Sequence, residues 1–146
     1  MLENQMELHF ASISQNEAFA RTVAAAFATQ LNPTIEELTD IRTAVSEAVT
    51  NAIIHGYEND PGQTVILTGK IQGRSIVLSI RDTGRGIENV ELARQPFYTS
   101  QPNMERSGMG FSVMEAFMDK VVVESSPGQG TVVTLFKQLS QEDDHA

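Results

Sequence analysis

Asp82-Thr83-Gly84-Arg85-Gly86-Ile87 follows directly on an alternating apolar run, Ile76-Val77-Leu78-Ser79-Ile80-Arg81. The alternation reads as a strand with one buried face, so an acidic side chain falls at a strand end with two glycines just after it. Such an end can hold a base edge on its carboxylate while the glycine backbone passes close to a ligand. Asp-x-Gly is also common turn chemistry, so the stretch gains its weight from companions. Glu47-Ala48-Val49-Thr50-Asn51-Ala52-Ile53-Ile54-His55 lies upstream on a predicted helix, and Arg106-Ser107-Gly108-Met109-Gly110-Phe111 lies downstream in a predicted loop.

Working outward, Met6, Leu8 and Phe10 alternate with polar residues and predict a short first strand. Ser14-Gln15-Asn16-Glu17 has capping-box spacing, and Phe19, Val23, Ala26, Phe27 and Gln30 follow at helical intervals. Asn32-Pro33 closes that helix, and Thr34-Ile35-Glu36-Glu37 predicts a second capping box. The next helix is long, with Leu38, Ile41, Val45, Ala48, Val49, Ala52 and Ile53 as its apolar stripe and Gly56 as its stop. Val65 to Ile71 and Arg74 to Arg81, joined by Gln72-Gly73, predict a hairpin. Residues 83–110 show little regular pattern, and a connection that long is usually functional or mobile. A helix over Phe111 to Phe117 and two strands, at Val121-Val122-Val123 and Thr131 to Leu135, complete the chain. The expected fold is a two-layer α/β sandwich, a mixed but mostly antiparallel sheet with helices on one face.

Composition excludes more than it identifies. The 146 residues, 40% hydrophobic, suit one domain spanning 1–146, with the acidic segment 140–146 expected to be a disordered tail. There is no cysteine, hence no disulfide or thiolate metal site, which fits a reducing, cytoplasmic setting. No apolar run approaches a membrane span, and no signal-peptide pattern opens the chain. Ten basic residues against nineteen acidic give a charge of −9, which argues against a nucleic-acid partner. A nucleotide site remains compatible, because a metal and backbone amides can neutralise phosphate locally.

Glu47 and Asn51, four apart, share one helix face amid apolar neighbours. An Asn oxygen suits Mg²⁺ that keeps its waters and bridges to phosphates. A Glu one turn away can take a proton from a hydroxyl or water attacking a γ-phosphate. His55, one turn further on, reads more simply as a structural residue near a helix end, and the three histidines form no metal-ligand pattern. Gly108 and Gly110 before a helix can bring amides to phosphate oxygens, with Arg106 adding a charged contact. Neither G-x-G-x-x-G nor the P-loop pattern is present. The three segments together point to an ATP site.

In that order they resemble the N, G1 and G2 boxes of the GHKL ATPase/kinase superfamily, from the helix at Glu47 to the strand at Thr131. Their wording is similar to that of the anti-sigma serine kinases of sporulating bacteria. The resemblance implies the Bergerat ATP-binding fold, ATP and Mg²⁺ as cofactors, and a homodimer. It also implies two alternating partners, a sporulation sigma factor (sigma F-like) held inactive and an anti-anti-sigma protein phosphorylated on serine. By position it makes Glu47 the general base and Asn51 the Mg²⁺ ligand. Asp82 becomes the acceptor of the adenine amino group, Gly84 and Gly86 shape the adenine pocket, and Thr131 assists through a water. Arg106, Ser107, Gly108 and Gly110 fall in the ATP lid, and Arg21 matches a partner-contact arginine. No phosphoaccepting histidine domain precedes the ATP segment and the lid is short, which favours a kinase acting on another protein. The competing expectations are a nucleotide-gated sigma-binding module without phosphotransfer, a stress-response anti-sigma kinase, and a gyrase-type ATPase.

Overall fold

A computed structural model of the chain describes residues 2–95 and 110–140. Five strands, β1 (Glu3–Ala11), β2 (Thr64–Gln72), β3 (Ser75–Asp82), β4 (Lys120–Ser126) and β5 (Gly130–Gln138), form one sheet in the order β1-β2-β3-β5-β4. Every one of these pairings is antiparallel, so the expected antiparallel majority extends to the whole sheet. The helices are α1 (Gln15–Ala28), α2 (Ile35–Asn51), a four-residue α3 (Val90–Ala93) and α4 (Gly110–Phe117). A single 3₁₀ turn, Thr29–Leu31, ends α1, and a π-helical turn, Ala52–Gly56, extends α2.

Period-two alternation selects the buried face of the sheet. Val65, Leu67 and Ile71 on β2, Ile76, Leu78 and Ile80 on β3, and Val133 and Leu135 on β5 are all at most 3% exposed. They meet the α2 stripe of Ile41, Ala44, Val45, Ala48 and Val49, and α1 and α4 pack on either side of α2. This is the expected two-layer sandwich.

The two capping boxes come out differently. At Thr34 both halves form: its hydroxyl accepts from Glu37 N at 3.0 Å, and Glu37 Oε1 accepts from Thr34 N at 2.9 Å. At Ser14 the box expected from spacing is absent. Ser14 already has helical dihedrals (φ −60°, ψ −29°) rather than the extended ones an N-cap needs. Glu17 turns instead to Arg21 at i+4, where Nη1 donates to both carboxylate oxygens at 3.0 and 3.1 Å. The buried face of α1 is likewise carried by Ala20, Ala24, Phe27 and Ala28, and Phe19 is half exposed. Small residues let α1 lie close against α2, so the larger Phe19 faces outward.

Ser140, where the acidic tail was expected to start, is held. Arg74 Nε donates to its carbonyl at 2.8 Å and Glu37 Oε2 accepts from its amide at 2.8 Å. Residues 141–146 lie outside the described residues.

Candidate functional site

Asp82 is the last residue of β3, and the strand's alternation turns its side chain inward, in line with Ile80 and Leu78, leaving it 5% exposed. Burial pushes its carboxyl up to about 6, although amides of Gly84 and Thr131 hydrogen-bond it and act in the opposite direction. The Gly84 amide donates to Oδ1 at 2.9 Å. Thr131, the residue paired with Asp82 across β3 and β5, is also buried.

The loop after Asp82 passes under the end of the α2 extension with no room for side chains. A Cβ at position 56 would fall 2.6 Å from Asp82 Cγ, and one at position 84 would collide with the Gly56 carbonyl. Gly56 O accepts from Arg85 N at 3.0 Å, so the π-turn end and the loop are joined directly. Tyr57 fixes the same junction: its hydroxyl accepts from Thr83 N and donates to Thr64 O, both at 2.7 Å. Gly86 adopts φ +75°, and a side chain there would strike the Ser126 carbonyl. Ser125 Oγ accepts from Ile87 N at 2.8 Å and bonds Thr131 Oγ1 at 2.8 Å, which stitches the loop to β4 and β5.

These elements enclose a cavity of about 500 Å³, within the range of small-molecule sites. Asp82 and Thr131 line it together with Gly86, and Ile87 and Phe111 supply apolar wall. Asn51, the last residue of α2, and Gly110 at the start of α4 line it as well. Gly110 lies against Asn51, since a Cβ there would be 2.9 Å from Asn51 Nδ2. A buried carboxylate with acceptor oxygens, apolar walls that a flat ring can lie against, and an amide oxygen beside a helix start form a site suited to a nucleotide.

The predicted residues divide into three groups. Asn51, Asp82, Gly86, Gly110 and Thr131 line the cavity, and Gly84 lies beneath it as the close-packed partner of Gly56. Glu47 and Arg21 line a second cleft of about 290 Å³ between α1 and α2. Arg106, Ser107 and Gly108 lie outside the described residues. Sequence reading missed Tyr57, Ser125 and the close-packing role of Gly56. Gly56 carried a signal, being the glycine next to the helix end, but it read as an ordinary stop. For Tyr57 and Ser125 the distant partners, the amides of Thr83 and Ile87, are brought near only by the packing of the loop after β3, and no local pattern marks them.

Among the described residues no group of three or more His, Asp or Glu could cage a metal ion. The single amide oxygen of Asn51 in the cavity fits a Mg²⁺ that arrives with nucleotide phosphates and keeps most of its waters.

Residues 11–137 match the family described as histidine kinase-like ATPase domain, and the chain belongs to that family. The more particular likeness is to anti-sigma F factors. That of Anoxybacillus flavithermus is 57% identical over 140 residues, covering 96% of each chain. That of Clostridium acetobutylicum is 54% identical over 144 residues, covering 99% of this chain and all of the relative. The fold also matches the solved structure of the RsbU and RsbW domains of Rv1364c from Mycobacterium tuberculosis, with a TM-score of 0.67 at 20% identity. That match covers 94% of this chain and 32% of the other.

Proposed function

We propose that this chain is an ATP-dependent protein serine kinase and anti-sigma factor, which binds a sigma F-like factor and phosphorylates a serine of an anti-anti-sigma antagonist. The observation that carries the kinase reading is the division of one helix face between two spaces. Asn51 opens on the nucleotide cavity, and Glu47, one turn earlier, opens on the adjoining cleft. A carboxylate between a nucleotide and a space for a second molecule suits transfer to an acceptor better than hydrolysis, which needs no such space.

In this reading Asp82 accepts from the adenine amino group, and Thr131 assists beside it through a water. Gly84 and Gly86 shape the adenine pocket by letting its loop pack against the Gly56 and Ser126 carbonyls. Asn51 would hold the nucleotide's Mg²⁺, which would supply charge neutralisation at the phosphates. By resemblance, Arg106, Ser107, Gly108 and Gly110 serve as the ATP lid. Glu47 takes the proton from the acceptor serine as its Oγ bonds to the γ-phosphorus and the bond to the β-phosphate oxygen breaks, which releases ADP. Arg21 contacts the protein partner.

The anti-sigma half rests on the full-length likeness to proteins named anti-sigma F factor. Mutual exclusion follows naturally: two partners compete for one protein, and the nucleotide state biases the choice through its differing affinity for each complex. A homodimer working in the cytoplasm, with the whole chain as one ATP-binding domain, belongs to the same reading. Among the described residues no helix is long and apolar enough to cross a membrane.

The test is incubation of the protein with γ-labelled ATP, Mg²⁺ and the anti-anti-sigma protein, followed by phosphoamino-acid analysis. Acid-stable phosphoserine on the partner is expected. Glu47→Gln should lower the transfer rate about 10²–10⁴-fold with ATP affinity retained. Turnover unchanged by that substitution would remove Glu47 as the base, and bound ATP without transfer would leave a nucleotide-gated binding module.

A further inference from the structure

The cleft that receives Glu47 has a chemistry of its own. Thr39, Arg42, Thr43, Ser46 and Glu47 fall at i, i+3, i+4, i+7 and i+8 along α2, a polar stripe opposite the helix's buried one, and Arg21 faces them from α1. Two of the chain's ten basic residues thus converge on one small cleft of a protein with a charge of −9. Their states differ. Arg21 is tied to Glu17 at 3.0 Å, whereas exposed Arg42 has no ion pair or hydrogen bond among the described residues. The Thr39 hydroxyl is spent on the Ile35 carbonyl, and those of Thr43 and Ser46 make no hydrogen bond there.

We propose that this cleft is the docking groove for the acceptor segment of the protein substrate, and that Arg42 selects an acidic side chain close to the phosphorylated serine. The proposal rests on the kinase reading above and specifies its second substrate. A guanidinium with no partner among the described residues, flanked by two hydroxyls, matches a carboxylate, which can accept from its fork and from the hydroxyls together. The helix sets the spacing. Arg42 and Glu47 are five residues apart, a rise of about 7.5 Å, and an extended chain covers that in two to three residues at roughly 3.3 Å each. The serine whose proton goes to Glu47 therefore has its acidic neighbour within about three positions.

Arg42 is here a specificity residue rather than a catalytic one, so substrate KM must respond apart from nucleotide binding. The experiment is a double-mutant cycle between Arg42→Ala and amide substitutions, made singly, of each acidic residue within three positions of the acceptor serine in the anti-anti-sigma protein. KM in the transfer assay and Kd in the presence of ADP are both measured. Arg42→Ala is expected to raise both for the protein substrate at least tenfold and to leave ATP affinity unchanged. One amide substitution should produce the same rise with the wild-type kinase and no further rise with Arg42→Ala. Additive effects, or a substrate KM and Kd unmoved by Arg42→Ala, overturn the proposal. If no phosphoserine forms but the coupling persists in Kd, the docking groove stands and the kinase reading falls. If the two proteins neither bind nor react, both fall.

Discussion

Asp82 concentrates two opposing demands. In the proposed role, accepting from the adenine amino group favours the ionised carboxylate, whereas burial favours the protonated form and pushes the group up to about 6. The folded value lies above the ordinary 3.8, so the stability this group contributes is full below pH 4 and is lost as pH rises through 6. A shift of that size costs on the order of 2–3 kcal/mol at neutral pH. Asp82→Asn is therefore expected to raise the melting temperature at pH 8, a gain that shrinks toward zero below pH 4. Binding has the opposite slope, since an amino-group donor favours the ionised form. ATP affinity of the wild type should weaken by up to about tenfold between pH 6 and pH 5. In Asp82→Asn it should be weak at neutral pH already, with that pH slope gone; calorimetric titration at several pH values checks both.

Element ends explain how the nucleotide cavity keeps its shape. The π turn at Ala52–Gly56 brings the Gly56 carbonyl onto the loop after β3, and the Tyr57 hydroxyl closes the same joint from the other side. Tyr57→Phe leaves a strand carbonyl and the Thr83 amide without that partner and should cost about 1–3 kcal/mol. At this chain length the melting temperature then falls by roughly 2–4 °C per kcal/mol. ATP affinity should fall with it, because the loop that presents Asp82 loses its anchor. The two N-termini offer a sharper contrast. Thr34→Ala removes a formed capping box and should cost about 1 kcal/mol, whereas Ser14→Ala, where no cap bond exists, should change thermal stability by less than about 0.5 kcal/mol. Equal effects at both positions would contradict the capping geometry.

Across the molecule, chain ends distant in sequence are tied together at the pole away from the nucleotide loop. Arg74, in the β2–β3 turn, donates to the carbonyls of Leu31 after α1 and Ser140 after β5, and Glu37 at the start of α2 accepts from Ser140 N. Burial pushes the Glu37 carboxyl up, but hydrogen bonds from Thr34 and Ser140 outweigh it and hold the group below its ordinary value. Its contribution is thus present above the normal carboxylate range and lost on acidification, opposite in sign to that of Asp82. Arg74→Ala should lower global stability with little effect on ATP affinity, since none of these contacts lines the cavity; a denaturant melt and a nucleotide titration separate the two.

Local pattern alone determined a good deal. The alternation through Ile76–Arg81, the helical spacing from Leu38 to Ile53 and the hairpin at Gln72-Gly73 are short-range signals, and each strand and helix they imply is present. Glu47, Asn51 and Asp82 were legible because a polar group at an apolar position, or at a strand end before glycines, stands out without any neighbour in space. What required the tertiary structure is everything that depends on which elements meet. Ser14-x-x-Glu17 had the right spacing, but Arg21 drew the carboxylate away and the backbone had already turned helical. Tyr57 reaches the Thr83 amide 26 residues on, and Ser125 takes the Ile87 amide 38 residues back, separations no local window contains. Arg42 carries no mark in the sequence, and its cleft exists only because α1 brings Arg21 opposite it. Period and propensity act over a few residues and so can be read in sequence, whereas a cavity wall is assembled from segments as far apart as Ala48 and Val133, and exists only once packing has chosen their neighbours.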